Sequence, residues 1–301
     1  MIVVKLSGGL GNQMLQYSFA LLLRHLGKQV ELDISPYQYI NEHNGPEILS
    51  LFKIEMSPQL RRSFDSFQQR ERRLERYVEI AKKYKLLPIF SPWKMRHIFR
   101  FYHERYDYQE LDLNENTPTI EDLRGIDNCI VSGCPNPYYL KEVEGDIRMA
   151  FSFPSLPENY RPLVSQMLAH ESVAIHVRRG DYLNYRGLSL PDTYYQTACE
   201  IIDRQISNAH LYIFSEDEAY IRKLFVHKTN ITIMEPNMGN KSYIDMYLMS
   251  LCKHNVIANS TFSWWGAWLN NNPNKIIIKP YKWWYDRLSA PISIDDITLN
   301  Y

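Results

Sequence analysis

Two adjacent arginines, Arg178 and Arg179, are the side chains best placed to do chemistry in this chain. They lie in the segment His176-Val177-Arg178-Arg179-Gly180-Asp181, where an apolar run at 172–177 predicts a β-strand. Guanidinium groups bind phosphate oxygens through paired hydrogen bonds and stay charged at every physiological pH. Ligands of open α/β sheets bind beyond the carboxyl ends of the strands. The segment therefore predicts an anion site, and a surface ion pair with Asp181 is the alternative.

His176 and Asp181 are candidates for acid–base chemistry beside these arginines. A histidine flanked by apolar residues on a strand is more often a hydrogen-bonded core residue than a ligand, but its neighbours here favour a functional role. Asp181 either orients an arginine or accepts a proton as a general base. The catalytic candidates are therefore Arg178, Arg179, Asp181 and His176.

A glycine-rich segment, Gly8-Gly9-Leu10-Gly11-Asn12-Gln13, joins a predicted strand at 2–6 to a predicted helix at 13–26. Backbone N–H groups of such a turn can approach an anion at the positive end of a helix. Asp33 completes part of a dinucleotide-binding pattern, but Met14 occupies its third glycine position. A plain tight turn and a helix cap are the alternatives. The candidate ligand-binding residues here are Gly9, Gly11, Asn12 and Gln13.

Two further polar segments follow predicted strands. The first, Ser215-Glu216-Asp217-Glu218, either complements a helix dipole or accepts hydrogen bonds from a ribose or a base edge. The second begins at Asn259 and opens a predicted helix, so its hydroxyl and N–H groups can form a second phosphate-binding site. The candidates are Ser215, Glu216, Asp217, Asn259, Ser260, Thr261, Phe262 and Ser263.

Trp264, Trp265 and Trp268 follow directly, at a helical spacing that predicts core packing for at least two of them rather than a sugar platform. The chain has no pair of aspartates two positions apart and no paired His/Cys spacing. Those are the patterns expected of an acidic metal clamp or a zinc site. The sequence therefore predicts that no metal is required, because arginines and helix N-termini can neutralise a diphosphate.

The second half of the chain alternates apolar runs with helical patterns, which predicts a parallel sheet with covering helices. Ser215 with Glu218, and Ser242 with Asp245, have the spacing of helix-capping boxes. The predicted strands are 172–177, 210–215, 231–235, 255–259 and 275–280, and the predicted helices are 193–206, 216–227, 242–253 and 262–270.

The first half begins a second βαβ layer, because another strand is predicted at 29–34. A cluster of prolines predicts a boundary near 151–165. We therefore divide the chain into two αβ domains, 1–155 and 156–301.

Composition fits a globular protein with no general affinity for nucleic acid. The 301 residues are 45% hydrophobic and 23% charged, which allows a sizeable core, and the formal net charge is zero. Four scattered cysteines fit reduced structural thiols. No leader and no apolar stretch of about 18 residues is present, which predicts a cytoplasmic protein.

Residues 61–105 hold thirteen Lys/Arg against five acids, interleaved with Phe, Tyr and Leu. Such a stretch forms a solvated helical face in most proteins, and the alternative is peripheral contact with the inner face of a membrane.

Together, the four segments at 8–13, 176–181, 214–217 and 259–268 resemble the alpha-1,2-fucosyltransferases of glycosyltransferase family 11, over residues 2 to about 280. The resemblance implies a GT-B-like fold, with two Rossmann-type αβ domains facing a central cleft. It places the acceptor mainly on 1–155 and the GDP-sugar on 156–301.

The resemblance also implies inverting, metal-independent transfer of L-fucose from GDP-fucose to the 2-hydroxyl of a galactose-terminated glycan. That acceptor can be lipid-linked, as in bacterial surface glycan synthesis. By resemblance, Arg179 contacts the donor diphosphate, His176 lies near the nucleoside, and Ser260-Thr261-Phe262-Ser263 lies by the phosphates.

Three other functions remain open. The first is transfer of another GDP-sugar, because a phosphate-binding site does not read the hexose. The second is noncatalytic glycan binding through the tryptophans, which does not need the two arginines. The third is a nicotinamide-dependent oxidoreductase, which rests on Gly9, Gly11 and Asp33 and leaves the arginines unexplained.

Overall fold

The computed structural model describes residues 1–34, 36–39, 44–55, 109–185, 187–283, 292 and 296–300. Every strand pair in these ranges is parallel, so the predicted α/β class is confirmed. The predicted basic segment at 61–105 lies outside the described residues. Among the described helices, none has both the length and the apolar character of a transmembrane span.

The strands are β1 (Ile2–Lys5), β2 (Val30–Asp33), β3 (Gln109–Asp112), β4 (Cys129–Ser132), β5 (Glu171–His176), β6 (Ala209–Phe214), β7 (Ile231–Ile233), β8 (His254–Val256), β9 (Ile277–Pro280) and β10 (Ile297–Leu299). The α-helices are α1 (Leu10–His25), α2 (Pro36–Tyr39), α3 (Glu47–Leu51), α4 (Ile120–Gly125), α5 (Glu144–Ala150), α6 (Arg161–Ala169), α7 (Asp192–Gln205), α8 (Glu218–Leu224), α9 (Tyr243–Leu251) and α10 (Thr261–Trp268). The 3₁₀ turns are Pro137–Val143, Glu158–Tyr160, Gly180–Asn184 and Gly239–Lys241.

The chain forms two compact units, each built on one parallel sheet. The first unit comprises 1–7, 15–41 and 53–143, and the second comprises 8–14, 42–52 and 144–301. The two Rossmann-type sheets of the predicted GT-B-like fold are therefore present. The domain limits at 155 and 156, and the acceptor and donor roles given to the two domains, stay predictions.

The first unit holds a four-stranded sheet in the order β2-β1-β4-β3. Alternate residues of β1, β2 and β4 are buried, as expected of strands with one face on the core. The strands predicted at 2–6 and 29–34 are confirmed as β1 and β2.

The second unit holds a six-stranded sheet in the order β10-β9-β8-β5-β6-β7. From β5 the chain winds outward through β6 to β7, and then places β8 on the other side of β5. The winding direction therefore reverses between β5 and β8. Ligands of doubly wound sheets bind at such a reversal, beyond the carboxyl ends of the strands.

Both faces of the second sheet are covered. On one face, Val173 and Ile175 of β5 pack with Tyr194 and Ile202 of α7. On the other, Ala174 of β5 packs in a cluster that includes side chains of α6 and α9. Because both faces are buried, β5 is a nearly continuous apolar run rather than an alternating one.

The strands and helices predicted in the second half are confirmed to within a few residues, but both predicted capping boxes are wrong. The hydroxyl of Ser215 accepts a hydrogen bond from the backbone N–H of Asp217, and Asp217 itself caps α8 by accepting from Tyr220. Ser242 precedes α9 in helical conformation and makes no capping hydrogen bond, because a 3₁₀ turn leads directly into the helix.

Helix α1 begins at Leu10, three residues before the predicted start. The backbone N–H groups of Asn12 and Gln13 already donate to the carbonyl of Gly9. Gly11 and Asn12 therefore belong to the first helical turn rather than to the preceding loop.

Candidate active site

The predicted site residues of the second unit meet at the carboxyl ends of β5, β6 and β8. Arg178 and Arg179 follow β5, Glu216 and Asp217 follow β6, and Asn259 follows β8. Arg178 pairs with Glu216 and Arg179 with Asp217, whereas Asn259 bonds to the loop that follows the arginines. The site therefore lies where the winding of the sheet reverses.

Arg178 is held by two carboxylates. Its Nη2 lies 2.7 Å from Oδ1 of Asp181, and its Nη1 lies 3.1 Å from Oε1 of Glu216. Its Cζ also lies 5.4 Å from the ring centre of Tyr182, a buried residue of the same loop. This ion pair is the contact expected of an orienting Asp181, and its alternative role as a general base stays a prediction.

Arg179 is held differently. Its Nε donates to Oδ2 of Asp217 at 2.9 Å, and its Cζ lies 3.8 Å above the ring of Tyr220. In the described part of the chain, Asp217 is the carboxylate that pairs with Arg179. One edge of the guanidinium is thus fixed by an acid and one face by an aromatic ring.

Asp217 connects this contact to the fold of α8. Its Oδ1 accepts from the backbone N–H of Tyr220 at 3.0 Å, while its Oδ2 accepts from Arg179. The backbone hydrogen bond, and then Arg179, hold the pKa of this carboxyl below its usual range. Asp217 therefore stays ionised at neutral pH and keeps Arg179 in place.

His176 is buried at the end of β5. Burial, and then the charge of Arg178, lower its pKa to about 3, so its ring is neutral at physiological pH. Its Nδ1 is buried and has no hydrogen-bond partner among the described residues, and the ring lies 5.9 Å from that of Phe262. A neutral imidazole of such low basicity is a poor general base, which argues against that predicted role.

The N-terminus of α10 forms the β8 side of the site. The Ser260 hydroxyl accepts from the N–H of Phe262 and caps the helix. The Thr261 hydroxyl donates to Oδ1 of Asn12 at 2.8 Å, so the start of α1 lies against the start of α10. The two polar segments are therefore in contact within the second unit, which the sequence did not predict.

Gly11 is required by this close approach. A Cβ at Gly11 would lie 2.7 Å from the backbone carbon of Thr261 and 2.8 Å from the backbone nitrogen of Phe262. Its carbonyl also accepts from Nε1 of Trp265 at 2.9 Å. The absence of a side chain at Gly11 is therefore needed for the packing of α1 against α10, whether or not a ligand also approaches this glycine.

Three predicted ligand residues have their side chains committed to the scaffold. The buried Gln13 amide donates to the carbonyls of Gly8 and Gly45 and accepts from the N–H of Ile48. Ser263 bonds to the backbone at 258 and 260. Phe262 packs against the apolar cluster on the α9 face of the sheet. These side chains position the site, and their direct contact with a ligand stays a prediction.

Asn259 joins two parts of the loop that follows Arg179. Its carbonyl accepts from the Tyr182 hydroxyl at 3.1 Å, and its Nδ2 donates to the carbonyl of Leu188 at 2.8 Å. Its Oδ1 is buried and has no partner within the described ranges.

The tryptophans are core residues, as predicted. Trp264, Trp265 and Trp268 are 1%, 0% and 8% exposed, which leaves no face for a sugar. Gly266, between them, lies against α9, since a Cβ there would come within 2.8 Å of Cβ of Met249. In the described ranges, no group of three or more His, Cys, Asp or Glu side chains could hold a metal ion.

Two residues of this region, Tyr220 and Asp245, were not predicted as site residues. Tyr220 stacks on Arg179 and donates its hydroxyl to Asp192 at 2.5 Å. Asp245 of α9 accepts from the backbone and side chain of Asn237 at 3.0 and 2.7 Å, and burial raises its pKa to about 6. The only signal for Tyr220 was its position one turn after a strand-end acid.

Comparison with known proteins agrees with these motifs. The family model described as glycosyl transferase family 11 matches residues 1–294. The O-antigen biosynthesis glycosyltransferase WbnK of Escherichia coli is 28% identical over 311 residues, covering 96% of this chain and 97% of that protein.

Two further relatives carry more specific names. An alpha-1,2-colitosyltransferase of Escherichia coli is 28% identical over 296 residues, covering 94% of this chain and 92% of that protein. The galactoside 2-alpha-L-fucosyltransferase Sec1 of Mus musculus is 27% identical over 103 residues, covering 32% of this chain and 28% of that protein. Because the family model spans almost the whole sequence, this chain belongs to glycosyltransferase family 11.

Proposed function

We propose that this glycosyltransferase moves L-fucose from GDP-fucose to the 2-hydroxyl of a galactoside, with inversion and without a metal. The observation that carries the proposal is that Arg179 follows β5 and the N-terminus of α10 follows β8, the two strands between which the winding of the sheet reverses. The relatives support an alpha-1,2 linkage and a role in O-antigen synthesis. The acceptor is proposed to be a galactose-terminated, lipid-linked glycan of a bacterial surface polysaccharide.

The proposed chemistry is a single displacement at the anomeric carbon of the donor. The galactose oxygen forms a bond to that carbon as the bond to the GDP oxygen breaks, and negative charge grows on the departing diphosphate. Arg179 and the N–H groups at the start of α10 are the fixed positive groups for that charge. Arg178, held by two acids, fixes the loop that carries Arg179.

The galactose hydroxyl must also lose its proton during transfer. The low pKa of His176 makes that residue unsuitable as the acceptor of the proton, and we assign it a neutral positioning role. Asp181 is exposed and paired with Arg178, and it is the residue that we propose as the base.

Transfer of colitose is the second candidate, because one relative is named an alpha-1,2-colitosyltransferase. Colitose is the 3-deoxy form of L-fucose, so the two donors share the GDP group and differ by one sugar hydroxyl. The diphosphate site described above would hold either donor equally well.

A competition assay separates these donors. Equal concentrations of GDP-fucose and GDP-colitose are offered with a panel of galactosides, and the products are identified by mass spectrometry. We expect the fucosylated product to dominate, with an unchanged rate in EDTA. A predominantly colitosylated product would show that GDP-colitose, rather than GDP-fucose, is the preferred donor. Inhibition by EDTA that manganese or magnesium restores would overturn the metal-independent chemistry.

A further inference from the structure

We propose that Leu183, Asn184 and Tyr185 form a platform on which the acceptor glycan lies beside the donor diphosphate. The inference rests on the proposed function and adds to it the side chains that select the acceptor. All three residues are exposed, and they follow Arg179 within one short loop.

The platform begins at the arginine itself. The backbone N–H of Leu183 donates to the carbonyl of Arg179 at 3.0 Å, and that of Tyr185 donates to the carbonyl of Tyr182 at 3.1 Å. These bonds form the 3₁₀ turn Gly180–Asn184. The exposed side chains therefore lie one tight turn from the proposed diphosphate contact.

Asn259 fixes this turn from both sides. Tyr182 is buried and donates its hydroxyl to the carbonyl of Asn259, and Asn259 Nδ2 donates to the carbonyl of Leu188. Leu183, Asn184 and Tyr185, which follow the Tyr182 anchor directly, are exposed. A loop tied to the end of β8 at two points can present side chains in a defined position to a ligand.

The side chains of this turn suit a sugar. Leu183 and Tyr185 are 55% and 48% exposed, although large apolar side chains are usually buried. A tyrosine has a broad apolar face and a polar tip, and it suits one side of a pyranose ring, which presents C–H groups. Asn184 supplies an amide that can donate to and accept from sugar hydroxyls. We therefore commit the surface to the acceptor rather than to a protein partner.

The test measures steady-state kinetics of the full chain with Leu183→Ala, Tyr185→Ala and Tyr185→Phe. Removing either apolar side chain should raise the acceptor KM on the order of tenfold, whereas Tyr185→Phe should change it little. The KM for the donor and the affinity for GDP should stay at wild-type values, because the substitutions change side chains, whereas Leu183 bonds to Arg179 through backbone atoms.

Leu168→Ala is the matched control. Leu168 is 58% exposed near the end of α6. That helix leads into the amino-terminal end of β5, whereas the proposed platform follows its carboxyl end. That variant should leave both KM values unchanged. Leu183→Asp is a second variant. Because position 183 is exposed, the carboxylate should not impair folding, but it should raise the acceptor KM more than Leu183→Ala does.

Three outcomes would overturn the inference. Wild-type acceptor KM in Leu183→Ala, Tyr185→Ala and Leu183→Asp would show that the turn does not contact the acceptor. An equal rise in the donor KM, or weakened GDP binding, would place these residues in the donor site. If the wild-type chain transfers sugar to no acceptor, the proposed function fails first and the platform fails with it.

Discussion

The two arginines of the site differ in how tightly neighbouring carboxylates hold them. Arg178 bonds to Asp181 and Glu216, whereas Arg179 bonds to Asp217 through Nε and lies on the ring of Tyr220. A second acid beside an arginine lowers its capacity to attract an anion. Arg179 is therefore the side chain that we assign to the diphosphate, and Arg178 is assigned to holding the loop.

Replacing Arg179 by lysine tests the geometry of that contact. Lysine keeps the charge but loses the planar group that bonds to Asp217 and stacks on Tyr220. We expect kcat/KM to fall on the order of a hundredfold or more in both Arg179→Lys and Arg179→Ala.

Arg222→Lys is the control for this substitution, since Arg222 pairs with Glu218 on the exposed side of α8. It should retain wild-type kinetics. Near-normal turnover in Arg179→Lys would show that the paired hydrogen bonds of the guanidinium are unnecessary.

Asp245 should make the protein less stable as the pH rises, which is the opposite of the effect of a carboxylate whose pKa is lowered on folding. Burial raises the folded pKa of this carboxyl to about 6, above the ordinary aspartate value of 3.8, and the charge of Glu216 adds to the increase. The folded state therefore binds the proton more tightly. The stabilisation is present below pH 3.8 and is lost as the pH rises through about 6.

Thermal unfolding of Asp245→Asn can detect this effect. The amide carries no charge, so the difference in unfolding midpoint between variant and wild type should shift in favour of the variant as pH rises from about 4 to 7. Asp146→Asn is the control, because a negative charge in the first turn of α5 is favoured by the helix dipole; that variant should not gain on wild type as the pH rises. A constant or opposite trend for Asp245→Asn would contradict the assignment.

At the scale of elements, the start of α1 and the start of α10 depend on each other. Thr261 bonds to Asn12, Trp265 bonds to the carbonyl of Gly11, and the backbone at 261 and 262 lies against the glycine. The N–H groups at the start of α10 are therefore positioned by a residue without a side chain.

Gly11→Ala should damage this packing. The new Cβ would lie within 2.8 Å of backbone atoms that cannot rotate away, so the helices must separate. We expect a lower unfolding midpoint and weaker GDP binding. Gly145→Ala is the control, because a Cβ there meets nothing within 4 Å and the position is in α5. Equal behaviour of the two variants would disprove the packing argument.

Local patterns of the sequence predicted the elements well, and contacts between elements explain what they missed. Apolar runs located β5, β6 and β8, and with them Arg178 and Asn259 at the strand ends. The choice of Asp217 over Ser215 as the cap of α8 depended on hydrogen bonds specific to this turn. The roles of Tyr220 and Asp245 required knowledge of which side chains lie opposite them.

At the scale of the whole molecule, each unit has a point where its sheet reverses winding, and the two points differ. In the first unit the reversal lies between β1 and β4, and Gln16 bridges Ser7 and the carbonyl of Gly133 there. In the second unit the reversal carries two arginines and the start of α10. This contrast supports the assignment of the donor to the second unit.

The linkage of the product tests the central claim most directly. GDP-β-L-fucose and a galactoside are incubated with the full chain, and the purified product is characterised by NMR. We predict an α-fucosyl group on C2 of galactose, because a single displacement inverts the β-linked donor. A β linkage, attachment at another carbon, or no transfer to any galactoside would contradict the account.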